Sequence, residues 1–163
     1  MQPTPETTNF ILRQEGTKLA AYRDSKRFWT IGTGHKIKDT AILHALDDGE
    51  ELTISPNFAA ALLNYDLRTA VKEALRIFPD LPRYLPARQT ALVSIVFQLG
   101  AIDAFGPNFF ERLIDRVHVG NWPDAGAELL WRDGSLKRQP TQVAIDTPAR
   151  TSQTAEMLAS GQF

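Results

Sequence analysis

The stretch from Asn57 to Phe78 limits what this chain can fold into more than any other. Apolar residues stand at 58, 62, 63, 67, 70, 71, 74 and 75, the stripe of about 3.6-residue period expected of one long amphipathic helix. Ser55-Pro56 marks its start, because serine can cap free amides and proline is preset for the first helical position. Pro79, Pro82 and Pro86 end it, since proline lacks the amide that would continue the ladder. A helix over 56–78 therefore separates two segments of different character.

Upstream, the pattern predicts a short helix over 7–15, capped by Thr7 or Thr8, with Phe10, Ile11 and Leu12 supplying apolar surface and Gly16 the stop. Strand chemistry follows from Leu19 to Thr33. Ala20–Arg23 and Phe28–Ile31 flank Asp24-Ser25-Lys26-Arg27, a plausible turn. Gly32-Thr33-Gly34 is expected to break the strand. A short helix at 41–46, a solvated acidic turn (Asp47, Asp48, Glu50, Glu51) and a third strand at Leu52–Ile54 complete this part. Downstream every segment reads as helix: 87–99, 108–117, 123–131 and 148–159, with glycines between or after them. Residues 91–99 are apolar nearly all round, which predicts a central buried helix. Residues 131–142 read as extra loop, with Trp131 as a core anchor. The expected fold is α+β and mostly helical, a single domain over 1–163. It has an N-terminal lobe over 12–55 with a three-stranded sheet, the connecting helix, and an all-helical C-terminal lobe over 79–163 on which helix 7–15 packs.

Composition removes several function classes. The 163 residues are 43% hydrophobic, enough for a core, and without cysteine there is no disulfide, thiolate metal site or cysteine nucleophile. Eighteen basic against 19 acidic residues give a formal charge of −1, which argues against a dedicated nucleic-acid binder. Met1-Gln-Pro-Thr-Pro-Glu has neither the basic nor the apolar region of a secretory signal. The uncharged run Gln89–Ile102, which no other uncharged run exceeds in length, is too short and polar to span a bilayer, so a soluble protein is expected. No His/Asp/Glu cluster has metal-ligand spacing, and neither metal nor cofactor is expected.

The chemistry concentrates between Glu15 and His35. Glu15 ends a predicted helix, where the partial negative charge of the C-terminus disfavours a carboxylate and favours a protonated acid. Asp24 lies nine residues on, in a turn where water and amides keep it ionised. Two carboxylates in unlike environments are what glycoside hydrolysis uses. Thr30 adds a hydroxyl able to orient a water. By themselves the three are equally a helix end, a turn residue and a strand residue.

Their surroundings carry more. Glu15-Gly16, Leu19, Ala21-Tyr22, Asp24 and then Trp29-Thr30-Ile31-Gly32-Thr33-Gly34-His35 closely resemble the N-terminal signature of the phage-type lysozymes, glycoside hydrolase family 24. There the motif reads E-G-x-x-L-x-A-Y-x-D and, a few residues on, W-T-I-G-x-G-H. Ala87–Gly100 looks like that family's central helix, which ends in phenylalanine, often glutamine or asparagine, and then glycine. Gly106-Pro107-Asn108 and Trp122 fall where such lysozymes have comparable residues. The resemblance runs in order over residues 6 to 130 and continues to 158. Thr147-Pro148-Ala149-Arg150 keeps the T-P-x-R element, but Val143-Ala144-Ile145 before it lacks an aromatic.

The resemblance implies a lysozyme-like fold and a peptidoglycan muramidase that inverts at the anomeric carbon. Glu15 is the implied general acid, Asp24 the second carboxylate and Thr30 the partner that holds the attacking water. His35 and Asp66 are implied to form a structural ion pair. Phe97, Gln98, Asn108 and Arg150 are the implied substrate-binding residues, although Phe97 reads equally as plain core. Arg13, Lys18, Arg23, Lys26, Arg27, Lys36 and Lys38 surround the two acids; such a rim either favours an anionic glycan or is a solvated face. Peptidoglycan glycan strands are the expected partner, with a monomer as the acting form. Delivery from the bacterial cytoplasm to the periplasm or wall is expected through a holin or a secretion apparatus. A cognate inhibitor protein is expected if the chain serves as an antibacterial effector. The competing readings are a glycosidase of chitin-like polymer, the lysozyme domain of a phage tail, and a wall-binding scaffold without activity.

Overall fold

A computed structural model describes residues 1–100, 111–132 and 139–163 of the chain. They divide into two units, Pro3–Arg68 and Thr69–Phe163 with Met1–Gln2.

The first unit opens with α1, Pro5–Glu15. Thr4 caps it, not Thr7 or Thr8: Thr4 Oγ1 accepts from the Thr7 amide at 3.2 Å, and Pro5 takes the first helical position, where no amide is needed. Phe10 and Ile11 are fully buried. Gly16 ends the helix with φ +65 and its amide on the Leu12 carbonyl. β1 (Lys18–Arg23) and β2 (Trp29–Gly32) form an antiparallel hairpin pairing Tyr22 with Thr30 and Arg23 with Trp29.

The third strand, β3, is His35–Lys36, with Ile31 opposite His35. Gly32-Thr33-Gly34 therefore turns the sheet rather than ending it, a three-residue connection between the paired Ile31 and His35 in which Gly32 (φ +65) and Gly34 (φ +76) take the positive φ that residues with a side chain avoid. The strand expected at 52–54 is a single bridge, Ala20 to Thr53. It has no length to extend, because Ser55 already caps the next helix by accepting from the Phe58 amide at 3.2 Å. Between β3 and that bridge lies α2, Thr40–Asp47, capped by Asp39.

The long helix α3 spans Pro56–Ile77. Its buried row runs through Ala59, Leu63 and Leu67 in the first unit and Ala70, Val71 and Ala74 in the second. Phe58, expected on the apolar stripe, is 54% exposed; Ala59, about 100° round the helix, takes the inward place. A Cβ at Gly32 would stand 3.8 Å from Ala59 Cβ, so α3 packs directly over β2.

In the second unit a 3-10 turn (Leu81–Arg83) leads into α4, Pro86–Leu99, whose residues Thr90–Val96 are all buried, as expected of a central helix. Then come α5 (Glu111–His118), α6 (Trp122–Leu130), α7 (Gln142–Asp146) and α8 (Pro148–Ser160). α6 and α8 approach closely at Gly126, where an added Cβ would meet the Ala155 carbonyl oxygen at 2.5 Å. Arg88 donates from Nε to Leu158 O (3.0 Å) and from Nη2 to Ala159 O (3.3 Å), and lies over the Trp122 ring.

The segment expected to be plain loop carries a pair of short strands, β4 (Trp131–Arg132) and β5 (Gln139–Pro140), followed by α7. Trp131 is 40% exposed and no core anchor, because its backbone leaves α6 in the extended conformation to pair with Pro140. Buried Thr141 holds this return instead, donating to Leu129 O at 2.7 Å and accepting from the Ala144 amide. The result is an α+β, mostly helical fold with a small three-stranded antiparallel sheet. No helix among the described residues is long and apolar enough to cross a membrane.

Candidate active site

Glu15 is the last residue of α1 and is exposed. The turn between β2 and β3 runs beside it: a Cβ at Gly34 would lie 3.6 Å from Glu15 Oε2. Asp24 follows β1 directly. Its Oδ1 accepts from the amides of Lys26 (2.9 Å) and Phe28 (2.8 Å), while its own amide donates to Phe28 O and its carbonyl accepts from the Arg27 amide. Oδ2 takes no hydrogen bond from the described residues. To close this turn Arg27 adopts φ +66, a conformation that L residues other than glycine rarely take.

Thr30 sits on β2 and is 2% exposed. Its hydroxyl donates to Phe28 O at 3.1 Å, so its oxygen is left as an acceptor. Opposite it in the hairpin, Tyr22 has its phenol raised above the ordinary 10.0, first by burial, then by the negative charges of Glu15 and Asp24. Both carboxylates thus act on one phenol, and Thr30 is the register partner of the same residue. The Lys18 ammonium lies 4.0 Å from the centre of that ring.

His35 Nδ1 lies 2.8 Å from Asp66 Oδ2 and 3.1 Å from Oδ1, joining β3 to α3. The remaining sequence-predicted residues belong to the second unit. Phe97 is half-buried near the end of α4. Gln98 donates from Nε2 to Thr147 Oγ1 at 3.0 Å. Arg150 is buried, with Nη2 donating to Ser94 Oγ at 3.2 Å. Asn108 lies outside the described residues. Among the described residues no three His, Asp or Glu side chains gather as metal ligands.

One participant in the hairpin was hidden in the acidic run. Asp48, Glu50 and Glu51 are exposed, as a solvated turn predicts. Asp47, however, is the last residue of α2, and its Oδ1 accepts from Trp29 Nε1 at 2.6 Å and pairs with Arg23 Nη2. The Arg23 guanidinium lies over the Trp29 ring, and its Nη1 donates to the Arg27 carbonyl at 2.7 Å. The only hint in the sequence is that an indole N–H generally finds a partner.

A family model described as phage lysozyme matches residues 12–143. The chain is 25% identical over 165 residues to "Probable T4-type lysozyme 1" of Dictyostelium discoideum, covering 90% of this chain and 89% of that protein. It is 26% identical over 151 residues to "Probable T4-type lysozyme 2" of the same organism, covering 80% and 87%. It is also 27% identical over 148 residues to the "Pre-baseplate central spike protein Gp5" of Enterobacteria phage T4, covering 79% of this chain and 25% of that protein. Signature and family match agree: the chain belongs to the phage lysozyme family and is a lysozyme-type glycosidase.

Proposed function

We propose that this glycosidase is a muramidase, hydrolysing the β-1,4 bond between N-acetylmuramic acid and N-acetylglucosamine of peptidoglycan with inversion and so lysing bacteria. The observation that carries this reading is the state of Asp24 and Thr30. Asp24 is fixed through Oδ1 by two amides and presents Oδ2, while Thr30 has committed its proton to Phe28 O. A water between two acceptors donates both its hydrogens and turns a lone pair toward the anomeric carbon. Asp24 then receives a proton as the water attacks, and Glu15 gives one to the leaving glycosidic oxygen. General acid catalysis of this kind contributes about 10²–10⁴-fold.

Lys18, Lys26, Arg27, Lys36 and Lys38 are exposed around the two acids, which supports an anionic, carboxylate-bearing glycan as substrate. Phe97, Gln98, Asn108 and Arg150 are proposed to contact it. Within this reading the chain acts as a monomer on glycan strands, not nucleic acid. It is made in the host cytoplasm and reaches periplasm or wall through a holin or secretion apparatus, with an inhibitor protein as a further partner. A second setting, a lysozyme domain of a phage tail, is favoured by the match to a quarter of the central spike protein.

Clearing of purified peptidoglycan, followed by mass spectrometry of the products, tests the chemistry. Reducing-end N-acetylmuramic acid is expected. Reducing-end N-acetylglucosamine, hydrolysis confined to chitin oligomers, or binding without cleavage would each replace the reading.

A further inference from the structure

We infer that Asp47 is a positioning residue for Asp24, acting through Arg23 and Trp29. The inference rests on the reading of Asp24 given above. A carboxylate at the C-terminal end of a helix is placed against the helix dipole, so α2 does not favour Asp47 there for its own sake. Nor does stability account for it: the Arg23 and Asp47 side chains are 46% and 53% exposed, and an ion pair so open to water contributes little.

The geometry shows a different use. Arg23 is a fork. One nitrogen is held by Asp47, and the other donates to the carbonyl of Arg27, the residue with left-handed backbone. Trp29 is held by the same carboxylate oxygen through Nε1, and its ring supports the guanidinium from one side. Arg23 and Trp29 are also register partners, the last pair of the hairpin before the turn. Asp47 therefore fixes both strand ends from which residues 24–28 are suspended.

Within that turn the Arg27 carbonyl sets the direction of the peptide that carries the Phe28 amide, and that amide holds Asp24 Oδ1. Release of Arg23 lets the Arg27 peptide rotate toward ordinary backbone. The carboxylate then loses one of its two anchors, and Oδ2 its fixed aim. Binding of glycan is left untouched, because the partners of the Asp47 carboxylate among the described residues, Trp29 and Arg23, both belong to the hairpin.

The test compares Asp47→Ala, Asp47→Asn, Arg23→Lys and Asp24→Asn on soluble, uncrosslinked peptidoglycan strands. Amide hydrogen exchange is followed at Lys26 and Phe28. Asp47→Ala is expected to lower kcat by about 10- to 100-fold with KM unchanged, the scale for small misplacement of a catalytic group, and to speed exchange of the Phe28 amide. Asp47→Asn keeps an acceptor oxygen and should recover most of kcat. Arg23→Lys keeps the charge but cannot span Asp47 and Arg27 O, so it should behave like Asp47→Ala; it also carries the test if that variant fails to fold. Wild-type kcat and unchanged Phe28 exchange in a folded Asp47→Ala, with Asp24→Asn inactive, would overturn this inference alone. An active Asp24→Asn would overturn the role of Asp24 and the inference with it.

Discussion

His35 and Asp66 meet across 31 residues of sequence, with Nδ1 placed 2.8 Å from Oδ2 and 3.1 Å from Oδ1 of the same carboxylate. One sits on the two-residue edge strand β3 and the other on α3. So short a strand has little ladder of its own, and a side-chain tie to a long helix fixes where it lies. The two side chains are 29% and 22% exposed, so the pair is worth more than an open surface bridge and less than a buried one. Asp66→Asn is expected to cost about 1–2 kcal/mol and lower the melting temperature, while clearing of peptidoglycan well below that temperature stays near wild type. Circular dichroism melts and turbidity assays measure the two halves. Full stability with lost activity would place the pair in the chemistry.

Glu15→Gln should leave the fold unchanged, because the side chain is exposed and the exchange is isosteric. Activity should fall by at least about 10²–10⁴-fold, since an amide cannot supply the proton that the leaving oxygen needs. Near-normal clearing by a folded Glu15→Gln protein removes Glu15 from the mechanism.

The state of Thr30 bears on stereochemistry. A retaining enzyme uses its second carboxylate as nucleophile, about 5–5.5 Å from the acid, whereas an inverting one separates them by about 6.5–9.5 Å to admit a water. A hydroxyl oxygen left as acceptor serves a water and has no use for a carboxylate that attacks directly. Proton NMR of the nascent reducing end should therefore show the α-anomer first. An initial β-anomer, or a sugar adduct on Asp24, would make Asp24 the nucleophile.

Alkaline stability follows from the two raised phenols. Tyr22 is raised by burial, then by Glu15 and Asp24, and Tyr84 by burial, then by Asp80. Their neutral forms are favoured by folding. That contribution is fully present below the unfolded value of 10.0 and is lost as pH rises through the higher folded values. The melting temperature should drop above pH 10.0, and a Tyr22→Phe, Tyr84→Phe double variant should drop less steeply. Equal slopes would mean that other groups dominate.

The parts of this site that depend on near neighbours were legible in the sequence. The Asp24 turn was, because Asp-Ser-Lys-Arg between two extended runs leaves the aspartate facing its own amides. The long helix was, because Ser55-Pro56 and the prolines from 79 onward bound a regular stripe. Longer-range choices were not. Gly32-Thr33-Gly34 reads as a break because two glycines weaken a strand locally, and only pairing of Ile31 with His35 makes it a turn within the sheet. Asp47 looked like one of four solvated acids because its partners, Arg23 and Trp29, lie 24 and 18 residues away. Trp131 looked like core because size is visible in a sequence, whereas the backbone exit from α6 is not.

Arg27 has a consequence for how this turn can change. Among the described residues it alone combines a side chain with positive φ, at a strain of about 1–2 kcal/mol. Glycine at 27 would relieve that strain, giving back up to about 1 kcal/mol through a freer unfolded chain. It would also let the Arg27 peptide flip at little cost, and the Phe28 amide would swing with it. Thermostability screening would thus accept, or even favour, a substitution that blurs the aim of Asp24. Variants selected on melting temperature alone are expected to drift toward a looser catalytic turn at this position, and those selected on turnover to keep the strained one.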